Sequence, residues 1–114
     1  MTIEQRLRTL IRESKPNKSV TEAIEDILAP LKKYDVTTGS NLEYTLMRYT
    51  ALGSLSATAK DLFLHRNSVL YRLQRIEDLT GIPIRNQAIR NDLFVILSLV
   101  CSQYLRVETS NIIR

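Results

Sequence analysis

A chain of 114 residues with 44% hydrophobic and 25% charged side chains has the composition of one soluble globular domain, long enough for a single modest core. Sixteen Lys and Arg against twelve Asp and Glu leave a net charge of +4, while one Cys, one His and three scattered Gly argue against a disulfide, a Cys/His zinc site and a phosphate-cradling loop. MTIEQRLRTL lacks the apolar core of a signal peptide and Leu93–Leu105 is short of the ~20 residues that span a bilayer, so a cytoplasmic protein with a reduced Cys101 and no membrane contact is expected.

Helical periodicity dominates, and no stretch alternates apolar and polar residues between hairpin turns. Ile3, Leu7, Leu10 and Ile11 mark an amphipathic first helix opened by a Thr2/Gln5 capping box and ended by Ser14-Lys15-Pro16-Asn17; residues 1–18 read as an arm or linker. Ser19 and Glu22 repeat the box before a stripe of Val20, Ile24, Ile27, Leu28 and Leu31, and Pro30 is expected to end or kink that helix near Ala29. A third box, Ser40 with Glu43, precedes Leu42, Thr45, Leu46 and Tyr49 on one face, with Gly53 at the C-terminus.

A short helix over about 56–63, a tight turn and a longer helix over about 66–80 come next. Pro83 blocks continuation and Asn86 caps a long apolar helix over about 87–105, whose buried stripe is Ile89, Leu93, Ile96, Leu97, Val100 and Tyr104. Phe94, Val95, Leu99 and Cys101 lie off that stripe, which predicts burial on more than one side, in the centre of the core or against a second subunit. The expected fold is all-α with about five helices, divided into the arm, a domain over 19–110 and a tail over 111–114.

The pair 56–63 and 66–80 fits a helix-turn-helix. Such a motif needs a small residue where its helices cross and apolar residues that lock the crossing; Ala59 supplies the first, and Leu62, Leu64, Val69 and Leu73 the second. Phe63 stands where many such motifs have Gly, so an altered turn is expected. At about 100° per residue, Val69, Leu70, Leu73 and Ile76 share one side of the second helix, and Asn67, Ser68, Tyr71, Gln74 and Arg75 the other, with Arg72 at its edge.

Charge gathers at the same place. Residues 60–90 carry six Lys or Arg against three acids, and residues 1–18 five against two, whereas 19–59 are net negative. Asn pairs bidentately with adenine and Arg with guanine in the major groove, so Asn67, Tyr71 and Arg75 are expected to face bases, and Ser68, Arg66 and Arg72 bases or flanking phosphates. His65 in the turn and Ser56 and Thr58 at the first helix start are candidate phosphate contacts, and Lys60, Arg85 and Arg90 would widen the basic footprint. A mixed polar face is ordinarily only a solvated one; the ordered conjunction of short helix, small crossing residue, turn and cationic helix outweighs that reading here. His65 alone is more ordinarily a capping residue, and Tyr34, Tyr44, Tyr49 and Tyr104 core residues.

Leu28-Ala29-Pro30-Leu31-Lys32-Lys33-Tyr34-Asp35, Leu42, Thr45-Leu46 and Tyr49, followed by Thr58-Ala59, Leu62-Phe63, His65-Arg66-Asn67-Ser68, Tyr71-Arg72-Leu73, Ile76 and Leu79-Thr80-Gly81, resemble the C-terminal helix-turn-helix domain of the PucR/CdaR family of bacterial transcriptional regulators. The resemblance covers roughly residues 24–105. It implies sequence-specific binding of double-stranded DNA, metabolic gene regulation, a homo-oligomer and a sensory domain in a longer parent chain. A homodimer would form through the C-terminal apolar helix or the N-terminal helix. Two other readings stand beside it: a helical dimerisation or protein-interaction module, and an architectural DNA binder with little base preference. No enzyme, cofactor or metal site is expected.

Overall fold

The computed structural model describes Gln5 and residues 18–100. Within them run five helices: α1 (Lys18–Thr38), α2 (Leu42–Leu52), α3 (Leu55–Leu62), α4 (Arg66–Thr80) and α5 (Gln87–Val100). The described residues form no strand, and none of their helices is long and apolar enough to cross a membrane. The arm's apolar stripe, the tail, Cys101, Tyr104 and Leu105 lie outside the described residues.

The stripes read from the sequence become the core. Ile24, Leu28 and Leu31 from α1, Leu42 and Leu46 from α2, Val69, Leu73 and Ile76 from α4, and Ile89, Leu93 and Ile96 from α5 are all at most 2% exposed. At the centre is α2, which packs against each of the other four helices, while α1 also packs on α4 and α5. The expected burial of α5 on several sides is not met within the monomer, since Phe94 and Val95 remain 38% and 42% exposed. Burial is supplemented by a short linker that the periodicity did not single out: Ile82 and Ile84 flank Pro83 and bury both side chains.

Pro30 neither ends α1 nor limits it to the region before Ala29. The helix runs eight residues beyond it, with Leu28 and Leu31 anchored in the core on either side. An interior proline costs about 3 kcal/mol in an isolated helix; tertiary packing of the flanking leucines offsets that here. Two backbone-seeking threonines then finish α1, Thr37 donating to the Lys33 carbonyl and Thr38 to that of Tyr34, and Gly39 turns left-handed.

The start of α2 is capped from elsewhere. Ser40 and Glu43 do not form the expected box; Asn41 occupies the cap position at φ 56° without a side-chain cap bond. Asp35, one turn before the end of α1, reaches across the loop instead, and its two carboxylate oxygens accept from Leu42 N (2.7 Å) and Glu43 N (3.0 Å). Ser40 pairs with the Thr38 hydroxyl at 2.6 Å. Gly53 and Gly81 close α2 and α4 in left-handed conformation, and Asn86 Oδ1 accepts from Ile89 N at the head of α5, all as their positions predict.

Candidate nucleic-acid interface

Helices α3 and α4 meet as the sequence requires. Ala59 is 8% exposed at the crossing, Val69 and Leu73 are fully buried, and Leu64 packs partly against the same core. Leu62 is only half-buried and lies outside that cluster. The turn holds no glycine because Phe63 itself adopts the left-handed conformation, at φ 56° and ψ 42°, with its ring 94% exposed. Leu64 N then donates to the Ala59 carbonyl (2.9 Å). Phe63 thus takes the left-handed backbone conformation that glycine would supply.

The first helix starts one residue earlier than expected. Ser54 caps it, accepting from Ala57 N at 3.1 Å, and Leu55 opens the helix. Thr58 is consequently on the inner face, 0% exposed, with both its N–H and its hydroxyl given to the Ser54 carbonyl. It therefore has no group to offer a phosphate, which corrects the role expected of it. Ser56 and Lys60 are exposed on the outer side. His65 is the N-cap of α4, its Nδ1 accepting from Asn67 N at 3.0 Å, so the capping role suffices to explain it.

Along α4, Arg66, Asn67 and Ser68 are exposed, and Tyr71 is 60% exposed. The cationic residues farther along are differently disposed. Arg75, expected at the bases, lies between two aromatic rings, its Cζ 5.7 Å from the Tyr34 centroid and 5.6 Å from that of Tyr71, and donates to the Tyr71 hydroxyl at 3.1 Å. Its Nε is buried without a hydrogen-bond partner. Arg72 turns toward α2 and donates to Thr45 Oγ1 at 3.0 Å. Gln74 is bound by Asp78 and Arg85.

The wider footprint shrinks as well. Arg85 is held by Glu77 through its backbone and guanidinium, and Arg90 lies 5.6 Å over the Tyr49 ring. Glu77's hydrogen bond and charge raise the Arg85 pKa further above its ordinary value, against a smaller opposing effect of burial. Arg48 is likewise engaged, with both oxygens of Asp61 on α3. Exposed cations without such engagement include Lys60 and Arg66, which sit on either side of the turn. Of the tyrosines assigned to the core, Tyr49 is buried and Tyr34 half-buried, but Tyr44 is 41% exposed.

Residues 44–99 match the family model of the PucR C-terminal helix-turn-helix domain. The domain belongs to that family. A 43-residue stretch, 38% of the chain, is 51% identical to the carbohydrate diacid regulator of Escherichia coli (strain K12), of which it covers 11%. The chain is also 36% identical over 100 residues to an uncharacterised protein in the pkwA 5′ region of Thermomonospora curvata, spanning 80% of this chain and 55% of that protein. The chain thus spans about a tenth and about half of these relatives. No solved structure matches it.

A PucR-type helix-turn-helix domain points to a DNA-binding regulatory role. No group of three His, Cys, Asp or Glu able to hold a metal occurs among the described residues. The matched segment begins at Tyr44, yet two α1 residues outside it shape the PucR-type site: Asp35 caps α2, and Tyr34 stacks on Arg75.

The aromatic stack makes Tyr71 chemically distinct. The hydrogen bond from Arg75, then its charge, then a hydrogen bond with Tyr34 hold the Tyr71 phenol below its ordinary value of 10.0. The same Tyr71 bond is the main influence raising Arg75. Since the folded phenol is the more acidic, its ionisation favours the fold fully above about 10, and that contribution is lost as pH falls through Tyr71's lowered pKa. Ultraviolet difference titration of wild type against Tyr71→Phe isolates this phenol. Its midpoint should rise when Arg75→Gln removes the charge; an unmoved midpoint would show that the stack does not act on it.

Proposed function

We propose that this chain is the sequence-specific DNA-binding domain of a bacterial transcriptional regulator, with α4 as recognition helix in the major groove. The observation that carries this reading is the division of α4: Val69, Leu73 and Ile76 are at most 1% exposed, while Arg66, Asn67, Ser68 and Tyr71 stand outward on its N-terminal half. A helix so anchored presents its first two turns as a rigid probe, the part that enters the groove in helix-turn-helix proteins. Asn67 is the foremost base reader, by bidentate pairing with adenine. Tyr71 reads beside it; Arg66, Lys60 and Ser56 serve phosphates. Arg75 acts through Tyr71, and His65 by capping.

A homodimer places two recognition helices in successive major grooves about 34 Å apart. The exposed Phe94 and Val95 on α5 favour that helix as the contact, with the N-terminal helix as the alternative. A cytoplasmic location and a sensory domain in a longer parent chain accord with the regulatory family and with the short part of the relatives that is matched.

Selection of a random DNA library on this chain tests the reading. A palindromic site should emerge, bound more weakly as salt rises, and Asn67→Ala should cost about 1–3 kcal/mol of discrimination at one base pair. Equal affinity for selected and random DNA would favour an architectural binder. Self-association on sedimentation with no DNA affinity at low salt would leave an interaction module built on α5.

A further inference from the structure

Beside α4 is an open groove of about 450 Å³ between that helix and the α1–α2 loop. Leu42 and Leu64 give it apolar lining, Ser40 borders it from the loop, and α4 contributes Asn67, Ser68 and Arg72. Ser68 and Arg72 are one helical turn apart and so share a face.

The charge in this groove is uncompensated. Arg72 is half-buried, yet its sole hydrogen bond among the described residues is to the Thr45 hydroxyl. No carboxylate lines the groove or pairs with Arg72 among the described residues: Asp35 accepts from the head of α2, Asp61 from Arg48, and Glu43 lies 3.8 Å from Lys32. Thr45 is fully buried and donates its own proton to the Asn41 carbonyl (2.7 Å), which leaves its oxygen to accept from Arg72. One guanidinium N–H is thereby fixed, and the fork is aimed with its remaining donors unspent. The Ser68 hydroxyl and the Asn67 amide likewise have no side-chain partner in the described structure. A partly desolvated guanidinium flanked by neutral donors and apolar walls suits an oxyanion.

We infer that this groove seats one phosphodiester of the DNA backbone, gripped by Arg72 with Ser68, while Leu64 meets the adjoining sugar and Asn67 stays free for a base. Thr45 is a positioning residue that directs the Arg72 fork. The inference rests on the proposed DNA binding and sharpens it: Arg72 sets the register of α4 on the duplex, and base discrimination falls to the residues around it.

The selected DNA site, with single phosphates replaced in turn by neutral methylphosphonates, provides the test by fluorescence anisotropy. Arg72→Ala should weaken selected and mismatched sites alike by about tenfold, lower the salt slope by about one and abolish the effect of one methylphosphonate position. Ser68→Ala, which leaves the Arg72–Thr45 bond in place, should blunt that same position; thermal melts establish that both variants are folded. Thr45→Val should reproduce part of the Arg72→Ala loss at the same phosphate. A loss confined to one base pair, or an unchanged methylphosphonate profile in folded Arg72→Ala and Ser68→Ala, overturns the phosphate seat while DNA binding stands. Wild-type protein without DNA affinity overturns the functional reading and the seat together.

Discussion

Leu73→Ala should lower the unfolding free energy by about 3 kcal/mol, the middle of the range for a buried leucine that leaves a partly unfilled cavity. Leu73 is 1% exposed on the inner face of α4, the helix that packs on α1, α2 and α3 together. Few side chains there can shift to fill the space, because each neighbouring helix is also anchored in the same cluster. For a domain of this size the loss corresponds to a fall in melting temperature of roughly 12–20 °C, read by calorimetry or circular dichroism. Leu70, placed on the same side by helical projection but only half-buried, is the control. Leu70→Ala should cost about 1 kcal/mol or less. Equal losses at the two positions would mean that α4 is not seated as described, and with it the outward placement of Asn67 and Tyr71 would fail.

The contrast between those two leucines marks how far periodicity reaches. A 3.6-residue repeat locates a helix face within about a residue, so the buried stripes of α1, α2, α4 and α5 were legible from the spacing of Ile and Leu. The helix-turn-helix was legible too, since its evidence is local: Ala59, the turn and the apolar lock lie within fifteen residues. That Pro30 does not end α1 was not legible, for the opposite reason. Local propensity argues for a break, and only the packing of Leu28 and Leu31 against other helices tells otherwise.

The interface divides in the same way. Outward exposure of Asn67, Ser68 and Tyr71 follows from the face of α4 they share. The fates of the arginines do not, because each depends on a partner that folding brings near: Tyr34 for Arg75, Thr45 for Arg72 and Glu77 for Arg85. A long cationic side chain has enough reach to choose among several such partners, so its position on a helical wheel does not determine where its charge goes. Thr58 was more accessible to reasoning. Taking Ser54 as the cap would have put Thr58 four residues on, where a hydroxyl bonds back to the preceding turn.

Asp35→Ala should destabilise the domain by about 2 kcal/mol, from two charge-assisted hydrogen bonds and a favourable charge at the head of α2. The figure is below the sum for two buried bonds because Asp35 is half-exposed and water can reach the vacated N–H groups. Asp35→Asn should cost about half as much, since one amide oxygen can still accept while its NH₂ opposes the second donor. Urea denaturation gives the global value, and hydrogen exchange at the Leu42 and Glu43 amides gives the local one. A purely structural cap would affect DNA binding only through the folded fraction. The geometry predicts more: loosening the first turn of α2 frees the Asn41 carbonyl and with it Thr45, whose oxygen aims Arg72. DNA affinity in Asp35→Ala should therefore fall several-fold even at low temperature, where the variant remains folded, with the loss concentrated at the phosphate that Arg72 contacts. Unchanged affinity alongside faster exchange at Leu42 and Glu43 would separate the cap from the interface, whereas coupled losses would make Asp35 the point through which α1 controls how α4 is set on DNA.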